Sequence, residues 1–148
     1  MRWLAPRFDE VLISARNPDD YAFLGQRVVA DRTPDQGPLH GLACALQASR
    51  HDVHMVVPCD LPAIPLDLMA RLLRAVRDAD VALPVGADGR AEALFSACRR
   101  ATLPAVLAAL DRGERRMVGF HRDCRVTEVA LPPGVTLGNL NTPESWPF

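Results

Sequence analysis

The chain has 148 residues, the size of one ordinary domain. Hydrophobic residues make up 49% and charged residues 24%, the balance of a globular protein, and a net charge of -1 argues against a nucleic-acid-binding module, which needs a concentrated positive surface. All 17 basic residues are arginine, which excludes a Schiff-base lysine, a lysine general base and a P-loop lysine.

Glu10–Arg16 is a short apolar run that predicts a strand, broken by Asn17-Pro18-Asp19-Asp20. Arg27–Asp31 predicts a second strand ending in an acid, and Arg32–Pro38 a loop. Leu39, Leu42, Ala43 and Leu46 then recur at helical spacing, with Pro38 near the first turn, where its missing N–H is harmless. Val53–Val57 is almost wholly apolar, as in a strand buried on both faces of a parallel sheet, and runs into Pro58-Cys59-Asp60.

Met69, Leu72, Leu73 and Val76 mark the apolar face of a second helix. Val81–Val85 predicts a strand, Gly86–Gly89 a turn, and Ala91–Ala97 a further strand. Leu103, Val106, Leu107 and Leu110 mark a third helix, stopped by Gly113. Arg125–Leu131 predicts a late strand. Asn139–Glu144 reads as a loop into a helix start, with Thr142 as cap and Pro143 at the first helical position. Strands alternating with helices predict an α/β domain with a mainly parallel sheet flanked by helices, spanning residues 1–148.

No stretch approaches the roughly 18 apolar residues of a membrane span, and MRWLAPRFDE has no apolar core of a secretory signal. The four cysteines are scattered without a CxxC, so the expectation is free thiols in a reducing cytoplasm rather than a metal cluster or a disulfide framework. His40, His51, His54 and His121 show no metal-site spacing beyond the His51/His54 pair, which flanks an apolar strand and reads as structural.

Ligands of such sheets bind beyond the carboxyl ends of the strands, which singles out Asp31 and Asp60. A carboxylate there suits Mg²⁺, which takes one or two carboxylates plus phosphate oxygens, and Asp60 equally reads as a cap for the helix that follows. Gly37-Pro38-Leu39-His40-Gly41 precedes a helix, whose N–H groups favour anions, but Gly-Pro is also ordinary turn chemistry. Arg115 and Arg116 can grip phosphate bidentately or be plain solvated charge.

VVPCDLPAIP, DQGPLHGL, LDRGERRM and GNLNTPES, with EVLISARN and RVVAD before them, together resemble the molybdenum cofactor guanylyltransferases of the MobA type. The resemblance runs from about Trp3 to Trp146. It implies a Rossmann-like nucleotidyltransferase fold and transfer of GMP from GTP to molybdopterin cofactor, with Mg²⁺ and release of pyrophosphate. Molybdoenzymes or their chaperones are the protein partners it implies. Carried over by position, Asp60 would be the catalytic Mg²⁺ ligand and Asp31 a contact to the guanine nucleotide. Ser14, or Asn17 beyond it, would stand where the family has a nucleotide-binding Asn. Gly37, Arg115, Arg116, Asn139 and Asn141 would serve the pterin side.

The family opens with a strand and a glycine-rich phosphate loop of the form LAGGxSxRMGxxK. No such segment occurs here, and RNPDD, after the Glu10–Arg16 run, has no glycine. Without that loop the expectation is weaker hold on a triphosphate, since each charge-assisted hydrogen bond contributes roughly 1.5–3 kcal/mol. The expectation therefore divides three ways. The chain is a guanylyltransferase whose coding start lies upstream, a non-catalytic relative that binds pterin cofactor or a partner, or a cytidylyl or other nucleotidyltransferase.

Overall fold

The computed structural model describes residues 4–31, 37–61, 63–135 and 137. The chain divides into two compact units, one built from residues 1–51 and 103–122, the other from 52–102 and 123–148. Asn139, Asn141 and the helix start at Thr142 and Pro143 lie outside the described residues.

In the first unit, β1 (Leu12–Ala15) pairs in parallel with β2 (Arg27–Ala30), with Ser14 opposite Val29 and Ala15 opposite Ala30. A 3-10 turn, Pro18–Leu24, connects them. It starts because Pro18 presets the backbone and Asn17 caps it, accepting from the Asp19 N–H. It ends at Gly25, whose φ of 63° is left-handed. Helix α1 (Gly37–Ala48) lies on β1 and β2 and also packs on α3 (Leu103–Asp111). Leu39, Leu42, Ala43 and Leu46 are its buried positions, the predicted face. Val106 and Ala109 of α3, with Met117 and Phe120 beyond it, are buried in the same unit. The Gly113 N–H closes α3 on the Leu110 carbonyl at φ 83°.

In the second unit four strands lie in the order β3 (Val53–Val56), β5 (Ser96–Arg99), β4 (Val81–Val85), β6 (Val126–Ala130). β4 and β6 are parallel, and β5 runs antiparallel to both β3 and β4. Helix α2 (Leu66–Ala75) packs on this sheet through Leu68, Met69 and Leu72, joined by Val76 just beyond its end. The strand buried throughout its centre is β4, between its two neighbours. β3 is more open than its apolar sequence predicts, with Val53 at 38% exposure. Its one ladder among the described residues is to β5, so only part of its surface is covered.

The strand predicted over Ala91–Ala97 is divided. Ala91 bridges Val85 across the Gly86–Gly89 turn. The chain then bends, with Phe95 N–H donating to Glu92 O and Ser96 Oγ to Ala93 O, and β5 starts only at Ser96. It continues to Arg99 because that guanidinium has work at the far end. Nε donates to the Val76 and Ala79 carbonyls, Nη2 to the Arg77 carbonyl, and Nη1 to Asp52 Oδ2 at 3.1 Å. A cation there satisfies the orphan carbonyls after α2.

Candidate functional site

Because β1 and β2 run parallel, their carboxyl ends fall at the same edge of their sheet. Ser14 lies near the end of β1 and Asp31 follows β2, held by its N–H to the Ala15 carbonyl at 2.8 Å. The N-terminal half of α1 comes close above them. A Cβ on Gly41 would sit 2.8 Å from Ser14 Oγ and 3.6 Å from its Cβ, so the helix passes close to Ser14 at this glycine. Ser14 is exposed. The Asn17 side chain is engaged in its own turn, accepting from Asp19 and donating to Asp20 at 2.9 Å. Of the two predicted nucleotide-contact positions, Ser14 is the one whose exposed hydroxyl has no hydrogen-bond partner among the described residues.

Gly37 opens α1 at φ 70°. A Cβ there would meet the Arg115 backbone oxygen at 2.8 Å, and the same oxygen accepts the Leu39 N–H at 3.3 Å. The structure thus joins Gly37 and Arg115, two positions far apart in sequence. It also uses one of the free N–H groups of the helix start on a protein carbonyl, and Pro38 removes another donor. Side chains at this end that suit an anion are the half-buried Arg115 guanidinium, whose Nη1 donates to the Glu114 carbonyl, and the exposed Arg116.

The Asp31 carboxylate accepts from His40 Nδ1 at 2.6 Å, both side chains being 23% exposed. One helical turn on, Cys44 Sγ lies 3.7 Å from the same nitrogen. Burial and the neighbouring Asp31 charge push the Cys44 thiol above its ordinary range, so it is no ready nucleophile. Burial likewise pushes the Cys98 thiol up to about 12. The His40–Asp31–Cys44 contacts escaped sequence reasoning; the signal was the four-residue spacing of His40 and Cys44.

In the second unit Asp60 follows β3 in the Cys59–Asp60 turn, half-buried. It does not cap α2, which begins at Leu66 and has no side-chain cap. Among the described residues its carboxylate has no hydrogen-bond or ion-pair partner.

Residues 1–125 match the family model described as the MobA-like NTP transferase domain. A molybdenum cofactor guanylyltransferase from Burkholderia ambifaria is 39% identical over 154 aligned positions, covering 96% of this chain and 75% of that protein. The chain belongs to the MobA-like NTP transferase family. Two solved structures share its fold. Molybdopterin-guanine dinucleotide biosynthesis protein A from Archaeoglobus fulgidus superposes with a TM-score of 0.67 at 14% identity, over 87% of this chain and 68% of that one. The 2-C-methyl-D-erythritol 4-phosphate cytidylyltransferase from Thermus thermophilus superposes with a TM-score of 0.68 at 18% identity, over 95% and 80%. As a member of the MobA-like family, the protein is a nucleotidyltransferase with an α/β fold. No helix among the described residues is long and apolar enough to cross a membrane.

Proposed function

We infer that this MobA-like chain transfers GMP from GTP to molybdopterin cofactor, with pyrophosphate as the second product. The observation that carries it is the 39% identity to a molybdenum cofactor guanylyltransferase over 96% of the chain. Local geometry supports it: Ser14 and Asp31 share one strand-end edge, and Gly37 and Arg115 meet at the start of α1.

In the proposed reaction an oxygen of the pterin phosphate attacks the α-phosphorus of GTP. The bond from that phosphorus to the bridging oxygen breaks, and the electron pair leaves on pyrophosphate. Asp31 accepts hydrogen bonds from the nucleotide, and Ser14 Oγ adds a contact. Arg115 and Arg116 hold the acceptor's phosphate, the geometry for which guanidinium forks are suited. Asn139 and Asn141 belong to the same acceptor side. Asp60 offers the hard oxygen donors that Mg²⁺ prefers, with no protein cation competing for them among the described residues. Mg²⁺ held there would neutralise charge on the phosphates as they separate. A cytoplasmic setting would supply GTP and keep the four thiols reduced, and the product would pass to molybdoenzymes or their chaperones.

The test is incubation of the purified chain with Mg²⁺, GTP and molybdopterin cofactor, following pyrophosphate and the guanylated product, with CTP as competitor. GTP-dependent product supports the proposal. Product only with CTP would reassign the nucleotide, and tight pterin binding without product would make the chain a binding relative.

A further inference from the structure

Asp31, His40 and Cys44 bring a carboxylate oxygen, an imidazole nitrogen and a thiol sulfur within 4.8 Å of one another. Two elements supply them. The end of β2 delivers Asp31, while His40 and Cys44, four residues apart, lie on one face of α1. We propose that these three side chains form a site for a borderline divalent transition ion of the Zn²⁺ type, with water as the fourth ligand.

Donor chemistry selects the ion class. A thiolate beside an imidazole favours Zn²⁺ or Co²⁺ over Mg²⁺ and Ca²⁺, which seek oxygen alone. Two of the three donor pairs lie within an ångström of metal-bound spacing, and the third, Asp31 to Cys44, is within 4.8 Å. Ordinary Zn–S, Zn–N and Zn–O bonds in a tetrahedron set sulfur and nitrogen about 3.6 Å apart, and nitrogen and oxygen about 3.4 Å. Cys44 Sγ and His40 Nδ1 are already 3.7 Å apart. The His40–Asp31 pair, at 2.6 Å, must open by under an ångström to admit the ion. In binding, the Cys44 S–H gives its proton to solvent and its electron pair to the metal. All three residues are partly exposed, so an ion can reach them. The site does not rest on the guanylyltransferase reading, although both use Asp31.

The probe is Co²⁺ titrated into the purified chain without nucleotide, because a thiolate-bound Co²⁺ gives a sulfur-to-metal charge-transfer band. One equivalent should produce that band, Zn²⁺ should bleach it, and excess Mg²⁺ should leave it. C44S should abolish it, H40A should weaken binding by about tenfold or more, and C98S and C124S should leave it unchanged. Circular dichroism of each variant reports its folding. Absence of the band in the wild-type chain would overturn the proposal, as would a band that survives C44S.

Discussion

A Cβ on Gly37 would stand 2.8 Å from the backbone oxygen of Arg115 and 3.1 Å from its Cβ. The first residue of α1 and the loop beyond α3 are therefore fitted to each other by the lack of one side chain. Gly37→Ala carries two penalties, since alanine at φ 70° costs about 1–2 kcal/mol and the contact with Arg115 must also open. Urea melts should show a loss of at least about 1 kcal/mol. Assays should show a raised KM for the pterin acceptor, because the displaced segment carries Arg115 and Arg116. An unchanged acceptor KM in a destabilised variant would separate the packing role of Gly37 from acceptor binding.

Gly41 presents a different case. Among the described residues its added Cβ would meet Ser14 alone, 2.8 Å from Oγ and 3.6 Å from Cβ, and a hydroxyl can rotate away. Alanine is favoured over glycine within a helix by roughly 0.5–1 kcal/mol. Gly41→Ala should therefore melt within about 1 kcal/mol of wild type, while GTP affinity falls as Ser14 turns out of place. Isothermal titration with GTP reads the second effect, and unchanged affinity would remove Ser14 from the nucleotide site.

Much of the framework can be read from apolar spacing. The face of α1 follows from i, i+3, i+4 recurrence, that of α2 does so at Met69, Leu72 and Val76 while Leu68 rather than Leu73 completes it, and β4 follows from an unbroken apolar run, because burial against a sheet imposes those periods directly. Two features hide from that reading. β5 reaches Arg99 because a guanidinium satisfies carbonyls after α2, a long-range bond that leaves no periodic trace. The fit of Gly37 to Arg115 and of Gly41 to Ser14 joins positions remote in sequence, where a glycine alone signals only a turn or a close approach. Asp31 was legible as a strand-end acid, but nothing periodic ties it to His40 and Cys44, whose four-residue spacing alone says only that they share a helix face.

Asp80 supplies a pH-dependent element of the second unit. The Arg125 backbone N–H, donating at 2.8 Å, and then its guanidinium hold the Asp80 carboxyl below its ordinary range. A carboxyl whose folded value lies below its unfolded one stabilises the fold above the unfolded value, about pH 4, and loses that contribution as pH falls through the folded value. Asp80→Asn should cost about 1 kcal/mol at neutral pH, discounted for partial exposure. Urea melts of wild type and variant should converge as pH drops below about 4. A difference that stays constant down to pH 2.5 or so would assign the effect to packing instead.

Leu72 is fully buried where α2 meets its sheet. Leu72→Ala should cost about 2–5 kcal/mol by lost burial and residual cavity. Thermal or urea unfolding measures it, and a loss under about 1 kcal/mol would mean that α2 is not the main cover of that sheet face.

The central claim is guanylyl transfer assisted by Asp60. Its most direct measurement is pyrophosphate release and guanylated product from GTP and molybdopterin cofactor, with wild type and Asp60→Ala compared at equal folded concentration. Stoichiometric product and pyrophosphate from the wild-type chain, with turnover abolished in the variant, is the predicted result. No product from wild type would contradict the activity, and near-normal turnover by Asp60→Ala would contradict the role given to this carboxylate.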